Sequence, residues 1–281
     1  MFRFASSPRF YAGRPSCPWH DAAMPDAALH RPPTRPHRWI WWLLASQLLV
    51  VLLGWRFGWR IGLPLLVASH LPFWWGVLWP ASRFYGPVLT HLPGIEPRVW
   101  LTIDDGPSDD TRPLLDLLDA HEARATFFLV ARRAAARPEL VQEIVRRGHD
   151  IGNHSDSHPQ AWFWALGPAR MRREIDQAQR TLAEIAGRAP RWFRAVVGMS
   201  NPFVQAPLRE LGLTRVAWSA RGFDGVGFDV DAVIARIGKQ LAPGAIVLLH
   251  EGGAEGRNVE VMRRLLPMLK ARGLRAELPR V

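Results

Sequence analysis

The chain has 281 residues and a formal net charge of +11 at pH 7, and all but two of its 36 basic residues are arginines. This length is sufficient for one good-sized domain with additional segments. No run of arginines interleaved with aromatic residues indicates nucleic acid as a partner, and the single cysteine, Cys17, excludes an intramolecular disulfide. We therefore expect no nucleic-acid partner and a fold that does not depend on an oxidising compartment.

Residues 1–38 are rich in Pro, Arg, Ala and His and show no periodicity, which predicts a disordered basic arm. Six arginines in this arm precede a strongly apolar stretch. Anionic lipid headgroups are therefore the expected partner of the positive charge.

Residues 39–80 contain two apolar runs, 39–55 and 61–80, that lack Asp, Glu, Lys and Arg. Each run is close to the roughly 17–25 residues that a helix needs to cross a bilayer. Tryptophans stand near both ends of the pair, as in an aromatic belt. We predict two transmembrane helices of a multi-pass protein in a bacterial-type inner (cytoplasmic) membrane. The alternative is a buried helical hairpin of a soluble protein, and a cleaved signal peptide is disfavoured because the first run begins too far from the N-terminus.

The side of the membrane that the rest of the chain occupies depends on the second run. The arginines of the arm favour a cytoplasmic arm, and two crossings would return residues 81–281 to that side. If the second run, which contains Pro64 and Pro72, were only re-entrant, residues 81–281 would face outward. Two crossings are the favoured interpretation, and the side stays open.

Residues 81–98 contain several Pro and Gly and predict a linker, after which strand and helix patterns alternate over residues 99–281. Repeated β-then-α units imply parallel strands covered by helices. The predicted strands lie at 99–103, 125–130, just before Gly152, and at 191–194, 214–218 and 245–249. The predicted helices lie at 111–121, 138–147, 168–186, 203–211, 231–241 and 258–271.

The first candidate site follows the strand at 99–103, where the apolar run ends in two adjacent carboxylates, Asp104 and Asp105. In alternating α/β folds, chemistry collects at the C-terminal ends of the strands. Two neighbouring negative charges are relieved when one of them binds a divalent metal and the other acts as a base. A solvated Asp-Gly-Pro turn is the alternative.

Two imidazoles, His154 and His158, follow another short strand. Their spacing would place them on one face of a helical turn, where both could reach one ion. Two histidines and one carboxylate, with the remaining positions open to water, are typical of a catalytic metal site. Zn²⁺ is the first choice by ligand type, with other divalent ions as alternatives. Arg194 and His250 also follow apolar strands, so four separate strands deliver polar groups of complementary type.

Four motifs in this order and spacing resemble those of the NodB-homology polysaccharide deacetylases (carbohydrate esterase family 4 type): TIDDGP (102–107), HSDSH (154–158), RAVVG (194–198) and LLH (248–250). The resemblance covers about residues 98–281. It implies an α/β fold, a distorted, incomplete (β/α) barrel of NodB-homology type. It also implies that a divalent metal, most simply Zn²⁺, is held by Asp105, His154 and His158.

The resemblance further implies how protons move in the site. Asp104 would be the general base, with Arg194 orienting it, and His250 the general acid that protonates the departing amine. The third motif departs from the family pattern, with Val196 and Val197 in place of Pro and an aromatic residue. The backbone N–H at Val197 can still donate to the oxyanion, because any residue except Pro supplies one.

The fourth motif of the family, an Asp-and-Trp stretch, is only loosely matched by residues 218–224. Trp218, Arg221 and Asp224 are candidate substrate-binding residues there. Arg221 would meet a phosphate or carboxylate of the substrate, and whether Asp224 supports the acid histidine stays open at this point.

Together these features predict a membrane-anchored, metal-dependent deacetylase acting on the N-acetyl group of an amino sugar in a cell-envelope or lipid-linked glycan. An O-acetyl esterase or deformylase with the same site is the alternative enzyme. An inactive glycan-binding module is the alternative from another class.

Overall fold

A computed structural model describes residues 29–226, 229–253 and 256–279. Most of the predicted basic arm therefore lies outside the described residues. The part that is described does not behave as a disordered arm: Leu29 is buried, and the backbone N–H of Arg31 donates to the Thr214 hydroxyl. The expectation of disorder is wrong for this part because an apolar side chain there has a buried surface to cover.

The two apolar runs form an antiparallel hairpin of α1 (Arg38–Phe57) and α2 (Trp59–Leu78), turning at Gly58 with φ 85°. Both helices have 20 residues and are long and apolar enough to cross a membrane, with a length of about 30 Å each. No residue of α1 is buried, and in α2 only Gly76 and Val77 are. The alternative of a hairpin buried in a soluble core is therefore wrong.

The chain after the hairpin forms an α/β domain built on a parallel sheet. Its strands are β1 (Arg98–Gly106), β2 (Ala125–Leu129), β3 (Asp150–Asn153), β4 (Trp192–Phe193), β5 (Thr214–Arg215), β6 (Ala220–Arg221), β7 (Ile246–His250) and β8 (Arg275–Ala276). Its helices are α3 (Thr111–Ala120), α4 (Ala131–Ala136), α5 (Pro138–Arg146), α6 (Pro168–Ala186), α7 (Gln205–Glu210), α8 (Val230–Gln240) and α9 (Arg257–Ala271).

The strand order is β5-β4-β3-β2-β1-β7-β6, with β8 beside the start of β1. This sheet curls into an incomplete barrel, as the family resemblance implies. Alternation along β1 separates its two faces: Leu101 and Ile103 join the core under the helices, whereas Trp100 joins the cluster on the inner face. The inner face therefore carries the polar residues that alternate with Trp100, which are Thr102 and Asp104.

Residues 81–98, predicted as a linker, pack against the domain instead of hanging free. Leu89 bridges to Val216 and His91 bridges to Ala245, so this segment runs from the β5 side of the barrel opening to the start of β7. Leu92 is buried in the inner-face cluster. The segment is ordered because it covers apolar side chains that the incomplete sheet leaves open.

The sequence pattern misses three short elements, α4, β6 and β8, each six residues or fewer. It also assigns His154 and His158 to a helical turn, and this is wrong. Residues 154–158 form an irregular loop in which Ser155 and His158 adopt positive φ values of 72° and 52°.

Candidate active site

Both carboxylates of the first motif reach the cleft because β1 is irregular at its end. Successive residues of a regular strand point to opposite faces. Here the pairing of β1 with β2 shifts register between Asp104 and Gly106, and Asp105 takes a positive φ of 73°. Asp104 keeps the inner-face direction of the strand, and the bulge lets Asp105 face the same cleft.

Asp105, His154 and His158 converge as a metal-binding set. One ligand atom from each lies within 4.8 Å of the others. The Nε2 atoms of His158 and His154 lie 2.8 and 3.5 Å from the same Asp105 oxygen, Oδ1, which is buried. A carboxylate oxygen and two imidazole nitrogens aimed at one point fit a divalent cation of the Zn²⁺ type.

The protein surroundings prepare His154 to act as a ligand. Its Nδ1 lies 2.9 Å from the backbone oxygen of Arg194, which fixes the proton on Nδ1 and leaves Nε2 free to bind. Burial by itself lowers the pKa of His154, but the charges of Asp104 and Asp105 outweigh it and raise that pKa. For Asp105, burial raises the pKa, and the two histidines more than offset it, so the carboxyl stays ionised.

Arg194 holds Asp104 on the inner face of the barrel. Its Nη1 donates to Asp104 Oδ1 at 2.7 Å and to the Thr102 hydroxyl at 2.8 Å, and the guanidinium lies 4.2 Å from the ring centroid of Phe128. Both Arg194 and Asp104 are buried. The family resemblance implies this pairing, but it assigns no role to Thr102, which joins β1 to the arginine.

His250 lies directly beside Asp104, its registered partner across the β1–β7 ladder. Its Nδ1 lies 3.0 Å from Asp224 Oδ1, and its backbone N–H donates to Asp224 Oδ2 at 2.7 Å. Burial lowers the pKa of His250, but the hydrogen bond and charge of Asp224, aided by the other two carboxylates, raise it to about 9. The raised pKa favours the protonated imidazole of His250 at neutral pH.

Asp224 does not have the predicted role of contacting substrate. It is 5% exposed, and its oxygens accept from His250 and from the side-chain amide of Asn258. The structure thus answers the question that the sequence leaves open: Asp224 supports the histidine.

The other candidates of the third and fourth motifs line the cleft, which has a free volume of ≈ 100 Å³. Val197 adopts φ 48° and is 42% exposed, and Trp218 and Arg221 lie on the same wall. The guanidinium of Arg221 is 3.8 Å from the Phe223 ring centroid and 5.2 Å from that of Trp218. Burial lowers the pKa of Arg221, and Asp224 opposes this shift.

Glu251 is a buried residue that sequence reasoning misses. Its carboxylate accepts from the Ser108 backbone N–H at 3.1 Å, from the Ser108 hydroxyl at 2.8 Å and from the Thr111 hydroxyl. It therefore ties the loop after the Asp pair to the end of β7. Burial raises the pKa of Glu251 to about 7. The available signal was a carboxylate placed directly after His250.

Comparison with known proteins gives the same result as the geometry. A family model described as polysaccharide deacetylase matches residues 92–216. A chitooligosaccharide deacetylase of Bradyrhizobium sp. is 34% identical over 189 residues, covering 62% of this chain and 85% of that protein. A peptidoglycan-N-acetylglucosamine deacetylase of Bacillus cereus is 32% identical over 212 residues, covering 74% of this chain and 73% of that protein.

Solved structures agree. The crystal structure of the Bc1960 peptidoglycan N-acetylglucosamine deacetylase has a TM-score of 0.63 and 31% identity, covering 67% of this chain and 88% of its own. A family 4 carbohydrate esterase from Streptomyces lividans, in complex with acetate, has a TM-score of 0.60 and 32% identity, covering 66% of this chain and 94% of its own.

The fold and site define a hydrolase of non-peptide carbon–nitrogen bonds. The chain belongs to the polysaccharide deacetylase family, of the NodB-homology type. Its activity is accordingly that of a polysaccharide or oligosaccharide deacetylase.

Proposed function

We propose that this protein is a membrane-anchored, metal-dependent deacetylase that removes the N-acetyl group from an amino sugar of a cell-envelope or lipid-linked glycan. The observation that carries the chemical part is the convergence of Asp105, His154 and His158 beside Asp104 and His250. Chitooligosaccharide and peptidoglycan, named for the relatives, define the substrate class from which the glycan comes.

Asp105, His154 and His158 would hold the metal, for which we propose Zn²⁺. When bound, the ion would supply Lewis acidity toward the acyl oxygen and lower the pKa of water. Two imidazoles and one carboxylate leave coordination positions open for that purpose.

Asp104 removes the proton from the attacking water. Its Oδ1 is held by Arg194, while Oδ2 lies 3.9 Å from His154 Nε2, on the metal side of the cleft. A base must sit within hydrogen-bond reach of the proton that it takes. The fixed guanidinium keeps Asp104 in that position.

His250 gives its proton to the departing amine. An amide nitrogen leaves poorly unless it is protonated, whereas an ester oxygen depends less on a proton donor. A partly buried imidazolium paired with Asp224 therefore favours an N-acyl substrate over an O-acyl one. The backbone N–H of Val197, on the wall of the same cleft, is the proposed donor to the oxyanion.

Arg221 and Trp218 are the proposed substrate-binding residues. A guanidinium packed on two aromatic rings is held in one place, where it can pair with a phosphate or carboxylate of the glycan. This arrangement fits a sugar that carries an anionic group or linkage.

The proposed anchor is the exposed hairpin of α1 and α2. An apolar hairpin of this length, exposed to water, would be a large unfavourable surface, and a bilayer removes it. Residues on both sides of the hairpin pack on the same domain, because Leu29 shares a buried cluster with Trp100. The segment before α1 and the domain after α2 therefore occupy one side of the membrane, which supports two crossings. We place the protein in a bacterial-type inner (cytoplasmic) membrane.

The test is acetate release from polymeric and lipid-linked N-acetyl amino sugars, with and without chelator, by the full chain and by Asp104→Asn. We expect release that the chelator abolishes and that metal restores, with almost none from the variant. O-acetylated and N-formylated substrates run in parallel separate the alternative enzymes. Glycan binding without release would identify an inactive module and refute the proposal.

A further inference from the structure

Exposed apolar side chains lie at the mouth of the cleft. Outside the hairpin and its end (38–79), five large hydrophobic side chains of the described chain are exposed; three of them line this mouth, and a fourth, Trp162, lies close in sequence to a lining residue. Val197, Phe223 and Val226 line the cleft, and Trp162 lies two residues after Gln160, which also lines it. We define these four residues, Trp162, Val197, Phe223 and Val226, as the cleft rim.

The hairpin base lies beside the same rim. A methyl group added at Gly198 would come within 2.8 Å of Pro80, so the proline packs directly on the backbone next to Val197. The ring of Trp74 lies 5.9 Å from that of Trp164, and the backbone N–H of Ser200 donates to the Val77 oxygen at 3.1 Å. The apolar surface therefore continues from α2 onto the rim.

The level of the hairpin base relative to a bilayer follows from its tryptophans. Trp41 and Trp42 lie in the first turn of α1, and Trp74, Trp75 and Trp79 lie at the end of α2, all of them exposed. Tryptophan prefers the boundary between hydrocarbon and headgroups. If the hairpin spans the bilayer, its base and the adjoining rim lie together in that boundary layer.

We propose that the cleft rim rests on the membrane surface, so that the active site opens onto the lipid headgroup layer. This inference rests on the proposed membrane anchor. With its acyl group at Asp105, His154 and His158 in the cleft, a lipid-linked amino sugar would keep its lipid in the bilayer and its anionic linkage near Arg221.

The position of the rim can be measured on the full chain with a Cys17→Ser background. Single cysteines introduced by Leu48→Cys, Trp162→Cys and Ile95→Cys carry an environment-sensitive fluorophore, in phosphatidylethanolamine/phosphatidylglycerol vesicles with doxyl-lipid quenchers. Ile95 is the matched control, because it is apolar and 86% exposed but lies before the start of β1, away from the cleft. We expect quenching at 48 by deep doxyl groups, at 162 by shallow ones, and none at 95.

Quenching at 48 with none at 162 would overturn the rim proposal and leave the anchor intact. Quenching at neither position would overturn the anchor, and the rim proposal with it. Acetate release from a soluble chitooligosaccharide, measured on the same samples, reports the deacetylase proposal separately from both.

The rate assay uses Trp162→Gln, which lies outside the cleft lining, and Ile95→Gln. We expect Trp162→Gln to lower kcat/KM about fivefold on a bilayer-embedded lipid-linked amino sugar, equivalent to about 1 kcal/mol. Its rate on the soluble chitooligosaccharide stays unchanged, and Ile95→Gln changes neither rate. Equal losses of Trp162→Gln on both substrates would contradict membrane docking of the rim.

Discussion

The dependence of His250 on Asp224 leads to the most specific prediction. In Asp224→Asn, the hydrogen bond and charge that raise the pKa of His250 to about 9 are removed, while the burial that lowers it remains. The pKa should then fall to its ordinary value of about 6.5. At pH 8 the protonated fraction of His250 drops from about 0.9 to about 0.03, a loss of about thirtyfold, whereas at pH 6 the loss is under about twofold.

The assay is a pH profile of kcat/KM for acetate release, recorded at the same metal loading for both proteins. A bound cation repels the imidazolium and lowers the pKa in both, so the comparison is the displacement of the alkaline limb. The control is Asp231→Asn, because that carboxylate is 81% exposed and pairs with Arg264 on the surface. A uniform loss at every pH, with the alkaline limb unmoved, would refute His250 as the acid tuned by Asp224.

Three further predictions concern the supports of the site. Glu251→Ala should lower the free energy of unfolding by about 2–3 kcal/mol, because the buried donors of Ser108 and Thr111 lose their acceptor. Glu251→Gln should lower it less. Thermal unfolding in detergent measures both variants, and equal stability of the two would argue against the contact. Arg194→Met should lower the free energy of unfolding by about 3–5 kcal/mol, because it leaves Asp104 as an unpaired buried charge. Adding Asp104→Asn should recover part of that loss. If the double variant recovers nothing, the unpaired charge is not the cause. Zn²⁺ affinity should fall about tenfold per pH unit below the raised pKa of His154, because the ion must displace the proton of that imidazole. Competition with a chelator at pH 6 and pH 8 measures the affinity. Equal affinity at both pH values would contradict competition between the ion and the proton.

Much of the fold could be predicted from the sequence because the spacing of its apolar residues is strongly periodic. The helix predicted at 168–186 is present as Pro168–Ala186, where an apolar face every three or four residues is bounded by Pro and Gly. The apolar strands that carry Asp104 and His250 toward their C-terminal ends are equally clear. Strands of two residues, such as β6 and β8, carry no period, and only their neighbours in the sheet define them.

The candidate site, like the fold, could be predicted only in part from the sequence. Residue types and order identify Asp104, Asp105, His154, His158, Arg194 and His250. The geometry of the His154–His158 loop was not predictable, because it depends on positive-φ residues and on Ser155, whose hydroxyl accepts from the His158 backbone N–H at 3.1 Å. Likewise, the partnership of Asp224 with His250 joins residues 26 positions apart, and only the fold brings them together.

The metal content of the purified full chain tests the central claim most directly. We predict one equivalent of Zn²⁺ or another divalent ion in the wild type, retained through dialysis, and its loss in Asp105→Ala together with acetate release. Asp109→Ala removes a carboxylate from the same loop, where the side chain is 96% exposed, and should keep both metal and activity. A wild-type protein that releases acetate with no bound metal, or an Asp105→Ala variant that keeps its metal, would contradict the account.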